Sequence, residues 1–234
     1  MASTDSSYTL TRDPLFLITA AFFALLTTAM PALIGQIRIM PLLQTLALMV
    51  FLAITLRKGS MKTALMLMGV WLVVQVVTLM LMTGFFMDQV ERSISGGFDL
   101  RTGLVAWLYA GDPLPDGLRS EPMARLVEIA GVTAGALLTG GLLGVWFLMQ
   151  TANQGGFSMG VFLAGLLHGG TLPPFFLLWT VLRIAGYAGL VTLLAEPLWT
   201  KNWSYKFYVK QRGRLFLIAI ALVLASLALE VLLS

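Results

Sequence analysis

Apolar runs close to the roughly 20 residues a helix needs to cross a bilayer recur along this chain, and they limit its fold more than any other feature. They cover residues 15–34, 40–56, 63–87, 127–149, 175–198 and 215–234, with a shorter run at 157–170. In hydrocarbon no water satisfies the peptide groups, so each run must bond its own backbone as a helix or close into a barrel. The runs are continuous and do not alternate, which selects helices. Composition agrees: 58% of the 234 residues are hydrophobic and 11% charged, against about 25% charged in a soluble domain. The mean hydropathy is +0.88. The expected fold is all-α: one integral membrane domain over residues 1–234, a polytopic bundle of about seven spans, with six as the alternative.

The count turns on residues 151–174. Thr151-Ala152-Asn153-Gln154-Gly155-Gly156 reads as a polar turn between a helix over 127–149 and a short one over 157–170, and Pro173-Pro174 breaks the chain again. If the short helix crosses, the basic joint Arg57-Lys58-Gly59-Ser60-Met61-Lys62 and the basic segment 199–214 face the same side. If it re-enters, they face opposite sides. Basic residues gather on the cytoplasmic side. Seven spans place nine there (Arg12, Arg57, Lys58, Lys62, Lys201, Lys206, Lys210, Arg212 and Arg214), leaving Arg38, Arg92, Arg101, Arg119 and Arg125 outside. This gives an N-terminus inside, in a bacterial cytoplasmic membrane. The first run is too long for the apolar core of a signal peptide and reads as a retained helix.

Two segments lie outside the hydrocarbon. Residues 88–126 form the long extramembrane or interfacial loop. Within it Phe98, Leu100, Leu104, Val105, Trp107, Leu108 and Tyr109 make an amphipathic interfacial helix, followed by the turn Gly111-Asp112-Pro113-Leu114-Pro115-Asp116-Gly117. Its role is a cap on the outer helix ends or a lid over a substrate path. Residues 199–214 interleave Trp and Tyr with five basic residues. That pattern suits a cytoplasmic interface, aromatics at the headgroups and cations on anionic lipid, or the docking of an acidic partner.

Few side chains could carry chemistry. Arg183 lies mid-helix, where an arginine costs at least about 2.5–3.5 kcal/mol to insert, so it needs a partner; Glu230 and Glu128 are the candidates. With His168, the only histidine, they form the candidate buried polar site. It reads as a structural ion pair setting helix register, or as an anion, headgroup or gating site. His168 itself caps a helix end or serves as a ligand or proton relay. Gly131 and Gly135, Gly140 and Gly144, and Gly165 and Gly169 are spaced four apart, as close helix packing requires. There is no cysteine, no HExxH, GxSxG or P-loop, and no paired intramembrane aspartate. No catalytic residue, metal site or cofactor is expected, and no nucleic acid. The expected partners are the lipid bilayer and a membrane protein or a second copy of the chain.

The C-terminal half resembles stage II sporulation protein M-type membrane proteins. The Gly-rich helix before Asn153-Gln154-Gly155, the step His168-Gly169 and the buried acid in Ala228-Leu229-Glu230-Val231 carry the resemblance over residues 125–234. The acid usual after His-Gly is missing, with Leu172 and Pro173 in its place. The resemblance implies a non-enzymatic membrane component acting with partners. The sequence thus points to a subunit or scaffold of a membrane complex, and alternatively to a small transporter or permease subunit with a path near 151–174.

Overall fold

The computed structural model describes residues 14–37, 39–58, 60–115, 117–167, 178–204 and 208–233. Among these residues there are helices and no strands. We number them α1 (Pro14–Ile34), α2 (Ile39–Lys58), α3 (Met61–Phe85), α4 (Met87–Ser93), α5 (Gly97–Ala110), α6 (Pro122–Thr139), α7 (Leu142–Leu167), α8 (Leu178–Thr200) and α9 (Gly213–Leu233). Six helices are long and apolar enough to cross a membrane: α1, α2, α3, α6, α8 and Lys210–Leu232, which contains most of α9. The seventh long helix, α7, has 26 residues, roughly 39 Å at 1.5 Å per residue. It has the length to cross, but Gln150, Thr151, Asn153 and Gln154 lower its apolar character.

The course of the chain around α7 corrects the sequence reading. The expected helix over 127–149, turn over 151–156 and helix over 157–170 do not exist in that form. α6 ends instead at Thr139, and Gly140 (φ +63°) and Gly141 (φ +104°) reverse the chain. Both angles lie where a Cβ is disfavoured, so two glycines can turn a chain that other residues would continue as helix. Residues 151–156 run on as helix inside α7, because partners on other helices satisfy the Thr151 and Asn153 side chains. Within α6, residues Gly131–Gly135 widen to a π turn.

Helix packing follows small residues. A Cβ on Gly144 would stand 2.6 Å from Ala136 Cβ, and one on Gly135 2.9 Å from Leu143 Cβ, so α6 and α7 meet almost backbone to backbone. Gly131 faces the Phe147 ring. Gly156 and Gly160 of α7 meet Leu79 and Thr83 of α3, so the two helices run parallel. Of the glycines expected to mediate packing, Gly140 instead makes the turn, Gly165 has open space around it, and Gly169 lies outside the described residues.

Contacts at one end bring the basic segments together. The Arg57 guanidinium lies 4.6 Å from the centroid of the Trp199 ring. Trp199 Nε1 donates to the Gly140 carbonyl at 2.7 Å. Arg212 donates to both carboxylate oxygens of Glu196, at 3.1 and 2.8 Å. The joint after α2, the α6–α7 turn and the segment after α8 therefore share one end, as seven crossings require. At the other end α4 lies against the turn after α1, where Gly35 meets Arg92. Residues 98–109, expected to be helical, lie within α5, which buries Leu100 and Leu104. Trp107 packs edge-on against Phe162 of α7 and Trp179 of α8, so α5 covers the ends of those helices.

Candidate functional site

Helix α7 carries two polar clusters on opposite sides. Successive helical residues turn by about 100°, so Thr151 and Asn153 point roughly 200° apart. Asn153 Oδ1 accepts from Gln75 Nε2 of α3 at 2.7 Å and from Gln44 Nε2 of α2 at 3.2 Å. Its Nδ2 donates to Gln44 Oε1 at 2.8 Å. Gln44 Nε2 also donates to Thr28 Oγ1 of α1 at 2.9 Å, and Trp71 Nε1 to Gln75 Oε1 at 3.1 Å. All five side chains are buried. Amides left unpaired at this depth would each cost on the order of 1–3 kcal/mol, so the network binds α1, α2 and α3 to α7.

The second cluster is charged. Thr151 Oγ1 donates to Glu128 Oε1 of α6. Arg125, one turn earlier on α6, pairs with Glu128 and donates from Nη2 to Glu230 Oε1 of α9 at 3.1 Å. Arg183 Nη1 of α8 stands 3.6 Å from the same Glu230 oxygen. Glu230, Arg125 and Arg183 are 1%, 3% and 7% exposed. Two guanidinium groups face two carboxylates, so the cluster is neutral as a whole. This is what allows four ionised groups to stay out of water, since an isolated buried charge costs several kcal/mol. Together the two clusters connect all seven long helices, and α7 is the member they share.

The sequence had singled out Arg183, Glu230 and Glu128, and the fold brings all three into one cluster. His168 lies outside the described residues. The sequence reading placed Arg125 in the outer loop, which the fold corrects: it belongs to α6 and lies at the centre of the cluster. Its spacing of three from Glu128 was the available signal. Gln44, Gln75 and Thr151 were missed as well. For the first two, an amide in the middle of an otherwise apolar run was the clue.

Two cavities flank α7. One of about 40 Å³ is lined by Arg183, Glu230, Thr151, Thr180, Ser158 and Gln154 and roofed by Leu100, Leu104 and Pro115. It has room for roughly three waters at about one probe sphere each. Glu230 Oε2 and Arg183 Nε, both buried, have no hydrogen-bond partner among the described residues. The other cavity, about 450 Å³, is a crevice between α2, α4 and α7 with Ser93, Ser95, Gln150, Asn153 and Gln154 on its walls. Gln154 borders both. Among the described residues no three His, Cys, Asp or Glu side chains converge as metal ligands would.

The sequence matches no protein-family model and no curated protein, and the chain matches no solved structure. The chain is a polytopic, all-helical protein with six long apolar candidate spans among its described residues, which places it in contact with a lipid bilayer.

Proposed function

We propose that this protein is a non-catalytic subunit or scaffold of a membrane complex, held in a bacterial cytoplasmic membrane with its N-terminus inside. One observation carries the reading: the amides and charged side chains of the two clusters pair with one another across helices. Asn153 joins Gln44 and Gln75, and Glu230 joins Arg125 and Arg183. A bundle whose two buried polar clusters bind its own helices to one another is suited to presenting surfaces to partners. The resemblance to stage II sporulation protein M-type proteins implies the same role. The basic end supports the orientation, since Arg57, Lys58, Lys62, Lys201, Lys210, Arg212 and Arg214 face one acid there, Glu196, among the described residues. Extraction into polymer nanodiscs without detergent tests the reading. The chain should emerge in a particle holding a stoichiometric partner or further copies of itself, and a lone 25.4 kDa chain would count against it.

The crevice beside α7 favours a second reading, a small transporter or permease subunit. A path would run along Gln150, Asn153 and Gln154 and meet the 40 Å³ cavity at Gln154. It would pass beside α7, because residues 151–167 form unbroken helix. Flux of small polar solutes into proteoliposomes, abolished by Gln154→Leu, would favour this reading over the first.

A further inference from the structure

A trough of about 400 Å³ opens at the basic end between α8 and α9. Its deep walls are Leu193, Leu194 and Phe216, and its mouth is edged by Trp203, Tyr208 and Arg212. It is apolar along the helices and polar at the interface, the distribution of a phospholipid. Charge points to an anionic one: among the described residues the one acid at this end, Glu196, is taken up by both arms of the Arg212 fork, leaving Lys201 and Lys210 there without an acid partner among those residues. Lys201, the first residue past α8, adopts φ +55°, the only non-glycine residue among those described to do so. A helix C-terminus commonly places glycine at such a position, so the chain carries an ammonium group where a glycine would fit without strain.

We propose that this trough is a specific site for one anionic glycerophospholipid of the leaflet at the basic end, its phosphate held near Lys201, Lys210 and the Trp203 indole and an acyl chain lying along Leu193, Leu194 and Phe216. This differs from diffuse attraction of a basic face to a charged membrane, because the trough fixes the stoichiometry and gives the chain a walled bed.

Native mass spectrometry of the delipidated full-length protein, titrated with phosphatidylglycerol or phosphatidylcholine, tests the site. Wild type should bind a first phosphatidylglycerol at least about tenfold tighter than phosphatidylcholine, as one or two charge contacts allow. Lys201→Gly with Lys210→Gln should weaken that first binding roughly thirtyfold, since two basic contacts are lost, without lowering the melting temperature, because glycine relieves the strained φ. Leu194→Trp fills the trough and leaves the charge intact; it should also remove the first, tight phosphatidylglycerol. Equal binding of the two lipids, or unchanged binding in both variants, would overturn the proposal. So would displacement of the lipid by millimolar inorganic phosphate, which would show a free-anion site, or by a polyglutamate peptide, which would assign the surface to an acidic polypeptide.

Discussion

Thr151 and Asn153, two residues apart on α7, face opposite sides of the bundle: Thr151 donates to Glu128 of α6, and Asn153 bonds Gln44 of α2 and Gln75 of α3. One helix thereby joins an amide network on one side to an ion cluster on the other, and the two clusters tie the other six long helices to it. Asn153→Ala should destabilise the protein by about 1–3 kcal/mol, because the Gln44 and Gln75 amides lose partners they cannot replace in hydrocarbon. Gln150→Leu, on the crevice wall one turn away and outside the network, should change stability by less than about 0.5 kcal/mol. Reversible unfolding in mixed micelles measures both.

Glu230 answers two arginines, and that asymmetry predicts the outcome of a mutant cycle. Glu230→Gln removes the carboxylate shared by Arg125 and Arg183 and should cost about 3–5 kcal/mol, the usual range for breaking a buried ion pair. Arg183→Met in the same chain should recover part of the loss, since one guanidinium no longer lacks a counter-charge. Full recovery is not expected, because Arg125 has also lost its bond to Glu230. A double variant no more stable than Glu230→Gln alone would show that Arg183 and Glu230 are not coupled.

Among the glycines, Gly160 and Gly165 should behave differently. A Cβ on Gly160 runs into Thr83 and stands 2.8 Å from the Met80 carbonyl oxygen, whereas one on Gly165 meets nothing within 4 Å. Gly160→Val should cost about 1–3 kcal/mol through overpacking of α3 on α7. Gly165→Ala should be neutral or slightly stabilising, as helix propensity favours alanine by up to about 1 kcal/mol. Thermal aggregation followed by size-exclusion chromatography orders the two.

The absence of native cysteine makes topology directly measurable by single-cysteine labelling. Ser60→Cys and Lys201→Cys should react with an impermeant maleimide from the same face, the cytoplasmic one, and Asp112→Cys from the opposite face. The contact between Arg57 and Trp199 requires the first two to agree. Labelling of residues 60 and 201 from opposite faces would break the seven-helix arrangement.

Much of this fold was legible in the sequence because the bilayer leaves few options. Apolar length marked the long helices, and the balance of basic residues placed the joint after α2 and the segment after α8 at one end. The insertion cost of an unpaired guanidinium pointed from Arg183 to Glu230. The junction of α6 and α7 was not legible, for a definite reason. Asn153, Gln154 and Gly155 have the composition of a turn, and only the distant Gln44 and Gln75 make such a stretch affordable as helix. Gly140 with Gly144 has the spacing of a packing motif, and only the positive φ values of Gly140 and Gly141 show that the chain turns there. Arg125 looked like a loop charge because Glu230, the partner that ties it to another helix, lies 105 residues away.

Ala152 offers the most direct test of α7 as an unbroken, buried central helix. It lies between Thr151 and Asn153, is 0% exposed and packs in the core, yet it falls within the stretch whose composition suggests a cytoplasmic turn. In Ala152→Cys the added sulfur is small, and labelling by an impermeant maleimide in intact and inverted vesicles reports its access to water. With α7 unbroken, the thiol of Ala152→Cys should not be labelled from either face until the protein is denatured. Rapid labelling from the cytoplasmic face would contradict this and restore a turn at residues 151–156.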